Sequence, residues 1–184
     1  MRLFTGIDLP AQVVENLARL LGRLRPLARL NWSRVENLHI TTKFIGEWPE
    51  GRLDELKAAL RTAPGRPPIP IAIGGLGWFP NAVAPRVFWA GVEAGAALEK
   101  LAEDTARAAA SLGVVSEQRR FSPHLTLARI KDSVPLDRLR QAAAAAGTES
   151  LGAFVADRQF LYLSQRGPSG SVYTKLEEFP FNRP

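Results

Sequence analysis

Both histidines of this chain stand two residues before a threonine. The segments are Asn37-Leu38-His39-Ile40-Thr41-Thr42 and Ser122-Pro123-His124-Leu125-Thr126-Leu127, each rich in β-branched or apolar residues. The 184 residues hold no third histidine and only eight threonines. A threonine two places after a given histidine is expected about 4% of the time, and both together about 0.2% of the time. Along a strand, residues i and i+2 share a face. His39 with Thr41, and His124 with Thr126, therefore point together, while Ile40 and Leu125 point the other way. The chain must fold so that two such strands, far apart in sequence, each bury one face and offer an imidazole and a hydroxyl on the other.

If the two polar faces meet across one cleft, the arrangement suits displacement at a phosphodiester. In-line attack needs a base beside the incoming oxygen and an acid beside the leaving one, on opposite sides of the phosphorus. Free imidazole titrates near pH 6.5, so one ring serves neutral and the other protonated. Threonine hydroxyls donate to the non-bridging oxygens, where charge accumulates. Two competing readings are two unrelated buried histidines and a His–His metal site. Neither motif contains Asp or Glu, which weighs against the metal.

The flanking pattern predicts the scaffold. Arg2–Leu9 reads as a strand that stops before Pro10, and Ala11–Leu24 as a helix with apolar residues at helical spacing. Leu30–Trp32 and Leu38–Ile45 read as strands, Arg52–Leu60 as a helix, and the proline-rich Pro64–Pro70 as a linker. Ile69–Gly75 and Arg86–Val92 read as strands joined by a loop around Trp78-Phe79-Pro80-Asn81. Ala96–Leu112 is a predicted helix, His124–Ile130 a strand and Pro135–Ala146 a helix. Phe154–Ser164 and Val172–Glu178 read as a closing antiparallel pair joined around Gly167–Gly170. Strands mix with helices without strict alternation, which predicts an α+β fold with mostly antiparallel sheets.

Composition bounds the alternatives. No apolar run reaches the ~20 residues of a membrane-spanning helix. The absence of cysteine removes disulfide scaffolds, thiol catalysis and thiolate zinc sites, and fits a cytoplasmic protein. The start shows no signal-peptide pattern. A net charge of +6, carried mainly by arginine, suits either solubility or a polyanionic partner.

The paired motifs HITTKFIGE and SPHLTLARI resemble those of the two-histidine phosphoesterase superfamily. With them, RLFTGIDLP, PRVFWAGV and GSVYTKLEEFP are similar to the bacterial and archaeal RNA 2′,3′-cyclic phosphodiesterases, also called 2′-5′ RNA ligases, over essentially the whole chain. The resemblance implies a bilobal, LigT-like α+β fold with pseudo-two-fold symmetry: two mostly antiparallel sheets flanked by helices around a central cleft. Residues 1–184 would form a single domain of two intertwined lobes. It implies hydrolysis of an RNA terminal 2′,3′-cyclic phosphate to a 2′-phosphomonoester, with weak reversible 2′-5′ ligation, no metal and no cofactor. By the same resemblance His39 donates the proton to the leaving 3′-oxygen, His124 activates water, and Thr41 and Thr126 hold the phosphate.

Arg129 occupies the position of a family arginine and is a candidate phosphate ligand. Strict alternation puts it on the face opposite His124, so the strand must end or bulge for it to reach in. Lys43 has the parity of His39 and Thr41 and is a rival. Thr42 departs from the apolar residue usual there and is expected to face away from the cleft. Trp32, Phe44, Trp78, Phe79 and Tyr173 are candidates for stacking on the terminal base, while Trp89 is expected in the core. The expected partner is an RNA end carrying a cyclic phosphate, bound by a monomer away from any membrane. A cyclic phosphodiesterase for small nucleotides such as ADP-ribose cyclic phosphate, and a non-catalytic RNA-end-binding module, remain open at this point.

Overall fold

The computed structural model describes residues 1–115, 120–131, 133–168 and 170–182. The chain runs β1 (Arg2–Ile7), α1 (Ala11–Leu24), β2 (Asn31–Trp32), β3 (Ile40–Glu47), α2 (Leu53–Arg61), β4 (Ile69–Phe79), β5 (Val87–Glu93), α3 (Gly95–Ala110), β6 (His124–Arg129), α4 (Asp137–Ala145), β7 (Ser150–Ala156), β8 (Arg158–Gly167) and β9 (Gly170–Pro180), with single 3₁₀ turns between. Two sheets form, of order β3-β1-β8-β9 and β2-β6-β5-β4-β7, and every strand pairing described is antiparallel. The expected α+β architecture is present.

Each helix forms for a readable reason. Pro10 has no N–H to leave unpaired and stands directly before α1, whose Val13, Leu17, Leu20, Leu21 and Leu24 make one buried stripe. That stripe packs on the second sheet rather than on the strands that flank α1 in sequence. Asn16 Nδ2 donates to the Leu151 carbonyl of β7 at 3.0 Å, and a Cβ on Gly152 would already touch Val13. Conversely α3, spliced between two strands of the second sheet, packs on the first. Gln159 of β8 donates to the Thr105 hydroxyl at 3.0 Å, and Ala109 joins the core of Leu3, Ile45, Leu161 and Phe179. Each sheet is therefore covered by a helix inserted between strands of the other, which ties the two together.

Three elements differ from the sequence reading. The strand expected at Phe154–Ser164 is two strands that part at Asp157: β7 closes one edge of the second sheet and β8 sits inside the first. No glycine or proline marks that crossing, so neither period nor punctuation reports it. β4 runs on through Trp78 and Phe79, which the sequence pattern places in a loop. Its glycines depress strand propensity, but Gly75 takes φ +70 at a register shift and Gly77 lies under the Trp89 ring. His39 lies one residue ahead of β3 rather than inside it. The turn expected around Gly167–Gly170 includes Ser169, which lies outside the described residues; Gly167 and Gly170 pair across it.

Candidate active site

The two His-x-Thr segments are built alike. His39 Nδ1 donates to the Asn37 carbonyl at 2.7 Å, and His124 Nδ1 donates to the Ser122 carbonyl at 2.8 Å. In each case the acceptor is two residues back along the chain. A proton held at Nδ1 leaves Nε2 of the neutral ring as the reactive nitrogen. Nε2 of His39 shares a 3.0 Å hydrogen bond with the Thr41 hydroxyl. The Thr126 hydroxyl makes no hydrogen bond among the described residues, while its main-chain oxygen accepts from Ser33 Oγ at 2.6 Å.

The likeness extends to a bulge. On β3 the register with β1 slips between Gly6↔Thr41 and Thr5↔Lys43; on β6 the register with β5 slips between Trp89↔Thr126 and Phe88↔Ala128. One extra residue per strand reverses the parity beyond it. On β6 the consecutive Leu127 and Ala128 are both buried, and Arg129, which strict alternation sends away, comes out exposed on the His124 face. Its charge bears on both imidazoles. On β3 the same slip overturns the parity argued for Lys43. Lys43 is buried behind the sheet and its Nζ donates to the Val115 carbonyl at 3.2 Å. Thr42, as expected, points away from the cleft, bonded to Thr5 at 2.7 Å and Gln159 at 2.9 Å. The residue five places after His39, matching Arg129 after His124, is Phe44, which is 50% exposed.

Close packing sets the rings. Gly6 of β1 lies beneath His39: a Cβ there would stand 2.8 Å from the Ile40 carbonyl oxygen and 3.3 Å from His39 Cδ2. Phe4 stacks on His39 with centroids 4.6 Å apart, and Tyr173 meets its edge at 5.3 Å. Phe79 abuts His124 edge-on at 5.0 Å and leans on Trp89 at 5.2 Å. Trp89 is thus part of the cleft wall; Phe88, fully buried, takes the core position expected of it. Of the five aromatic candidates, Trp32 and Trp78 pack on Phe88, whereas Phe44, Phe79 and Tyr173 border the histidines.

Burial lowers the pKa of His39 and of His124 below the ordinary imidazole value, chiefly because a charged ring loses solvation. The hydrogen bonds to Asn37 and Ser122 oppose this, and Arg129 adds to it at both rings. The two rings differ in one respect: Asp8 favours the charged form of His39, and His124 has no such carboxylate acting on it. Asp8 is held by an ion pair with Lys175 and by the Tyr162 hydroxyl. Burial, then Asp8, keeps that hydroxyl protonated. The sequence does not single out this trio, because Asp8, Tyr162 and Lys175 lie too far apart in it to suggest a cluster. A cavity of about 480 Å³ opens beside His39, walled by Asp8, Glu36, Tyr162, Tyr173 and Lys175. Among the described residues no group of three His, Cys, Asp or Glu is disposed to hold a metal ion, and no helix is long and apolar enough to cross a membrane.

The family model for LigT like phosphoesterases matches residues 7–89 and 91–173, with one His-x-Thr motif in each match. Proteins named RNA 2′,3′-cyclic phosphodiesterase from Methanothermobacter thermautotrophicus and Methanocaldococcus jannaschii are 31% and 32% identical. Each match covers 97% of this chain, with 98% and 100% of the relative. A protein of that name from Geobacillus stearothermophilus is 35% identical over 128 residues; the match takes in 68% of this chain and 41% of that longer protein. Among solved structures, TT0787 of Thermus thermophilus superposes with TM-score 0.83 at 31% identity, over 98% of both chains. Escherichia coli LigT complexed with 3′-AMP shares the fold, with TM-score 0.76 at 23% identity over 99% and 98% of the two chains. With the model matched on both halves and relatives covered almost end to end, the chain belongs to the LigT-like phosphoesterase family.

Proposed function

We propose that this protein is an RNA 2′,3′-cyclic phosphodiesterase that opens a terminal cyclic phosphate to a 2′-phosphomonoester through its two imidazoles, without a metal. One observation carries the reading. Two strands from different sheets each hold a histidine with Nδ1 tied to its own backbone and a threonine hydroxyl on the same face. Names of relatives that match almost end to end supply the substrate class.

In the proposed reaction, neutral His124 takes a proton from water through Nε2 as the water oxygen bonds to phosphorus. The P–O3′ bond breaks on the far side, and protonated His39 gives its proton to O3′. Asp8 favours the charged form of His39 and no carboxylate does so for His124, which assigns acid to the first and base to the second. Thr41 and Thr126 donate to the non-bridging oxygens, and Arg129 offsets the charge gained in the pentacovalent state. The cavity beside His39 has room for the terminal nucleoside. Run in reverse with a ribose 5′-hydroxyl end in place of water, the same proton transfers give 2′-5′ ligation. One chain supplies both motifs, so the reading needs only a monomer, and a cysteine-free sequence suits the cytoplasm.

The test is the product of a 2′,3′-cyclic-phosphate-ended oligoribonucleotide incubated in EDTA, with His39→Ala and His124→Ala alongside. A 2′-phosphate is expected, with each variant slowed about 10²–10⁴-fold. A 3′-phosphate product, a rate that depends on added divalent cation, or a histidine variant of near-normal rate would refute the reading.

A further inference from the structure

The cleft face of β6 continues past the catalytic residues. With the bulge accounted for, His124, Thr126, Arg129 and then Lys131 follow one another on that face. β2 runs antiparallel beside it, with Asn31 opposite Arg129. Continuing that register places Arg29 opposite Lys131 and leaves Leu30 and Ile130 facing the core, where both pack. Like charges directly opposite each other on adjacent strands are destabilising. Arg29, Arg129 and Lys131 surround one pocket of about 80 Å³. None of the three has an ion pair or a side-chain hydrogen bond among the described residues, whereas most arginines and lysines of the chain do. A fourth cation, Arg86, donates to the main-chain oxygen of Lys131 at 3.4 Å and adds to the field.

We infer that this pocket is a subsite for a backbone phosphate of the RNA, one nucleotide upstream of the cyclic end. The inference rests on the proposed function and extends it from the reacting group to the strand. Three features support it. The pocket is small, with the volume that two or three waters fill, which suits one phosphate and excludes a base. It shares Arg129 with the reacting centre, so an anion in it lies one side chain from the scissile phosphate. Same-face residues along a strand repeat about every 7 Å, close to the separation of neighbouring phosphates in an extended single strand. The structure thus sets three uncompensated cations where a polyanion leaving the cleft must pass, and an anion between Arg29 and Lys131 relieves their repulsion.

The test uses Arg29→Ala/Lys131→Ala, both at exposed positions, in two measurements. In the first, a fluorescein-labelled oligoribonucleotide ending in 2′-phosphate, which is not turned over, is bound at several KCl concentrations. The slope of log K against log salt should become shallower by about 1.4, since each lost single-strand phosphate contact removes about 0.7. In the second, kcat/KM is compared for a cyclic-phosphate-ended oligonucleotide and a 2′,3′-cyclic mononucleotide. The preference for the oligonucleotide should fall about tenfold in the double variant, and Arg29→Lys/Lys131→Arg should restore it. An unchanged salt slope, or a loss shared equally by both substrates, would overturn the subsite. Failure of the wild-type enzyme to open either cyclic substrate would count against the proposed function instead, while the binding slope still decides the subsite.

Discussion

Gly6 sets how closely β1 and β3 approach under His39, so Gly6→Ala tests whether that spacing positions the acid. The new Cβ would stand 2.8 Å from the Ile40 carbonyl oxygen, a main-chain atom that cannot rotate aside. Restoring an ordinary 3.4 Å contact moves that carbonyl by about 0.6 Å, and His39, the preceding residue and itself 3.3 Å from the Cβ, moves with it. Overpacking of this kind costs about 1–3 kcal/mol, which for a chain of this size lowers the melting temperature by about 3–10 °C. Displacing a reacting group by 1 Å costs about 10² in rate, so about 0.6 Å should cost about tenfold or more in kcat. The two effects are separable. Gly22 is exposed in α1 with nothing within 4 Å of its Cβ position, so Gly22→Ala should return about 0.5–1 kcal/mol. The assay is a melting curve and steady-state turnover of a cyclic-phosphate-ended oligonucleotide for Gly6→Ala with and without Gly22→Ala. Stability should partly recover in the double variant while kcat stays low. Wild-type kcat in a destabilised Gly6→Ala protein would refute strand spacing as what positions His39, and a recovery of kcat that tracks stability would refute it equally.

Two further outcomes follow from the electrostatics of the pair. Asp8→Asn removes the carboxylate that favours charged His39 while keeping its size, so the alkaline limb of the kcat/KM profile should move to lower pH; movement of the acid limb instead would exchange the roles of the two histidines. Both imidazoles titrate below the ordinary value of 6.5 in the folded protein, so the unfolded chain binds more protons once pH drops under that value. Urea unfolding should therefore show full stability above about pH 6.5 and a progressive loss as pH falls from there through the folded values, a loss that His39→Ala/His124→Ala diminishes; a pH-independent stability across pH 5–7 would contradict the burial argument.

The sequence by itself determined the chemistry on offer. Two imidazoles and two hydroxyls, each pair on one face of a strand, follow from period-2 alternation alone, as do the buried stripe of α1 and the predominance of antiparallel pairing. Only the tertiary structure decided what lies beyond Thr41 and Thr126. Alternation counts residues along a single strand, whereas a bulge belongs to a pair of strands, and its register is set by what the neighbour packs against. The two bulges send Lys43 behind its sheet, bring Arg129 out beside both histidines and expose Phe44 at the matching place. The same limit applies to Asp157, where the chain changes sheets without a turn residue, to Trp89, whose ring lies over Gly77 on the cleft side, and to Asp8, which meets Tyr162 and Lys175 only because β8 and β9 come to lie beside β1. Local patterns report which residues share a face, but which faces meet is a property of long-range pairing and burial.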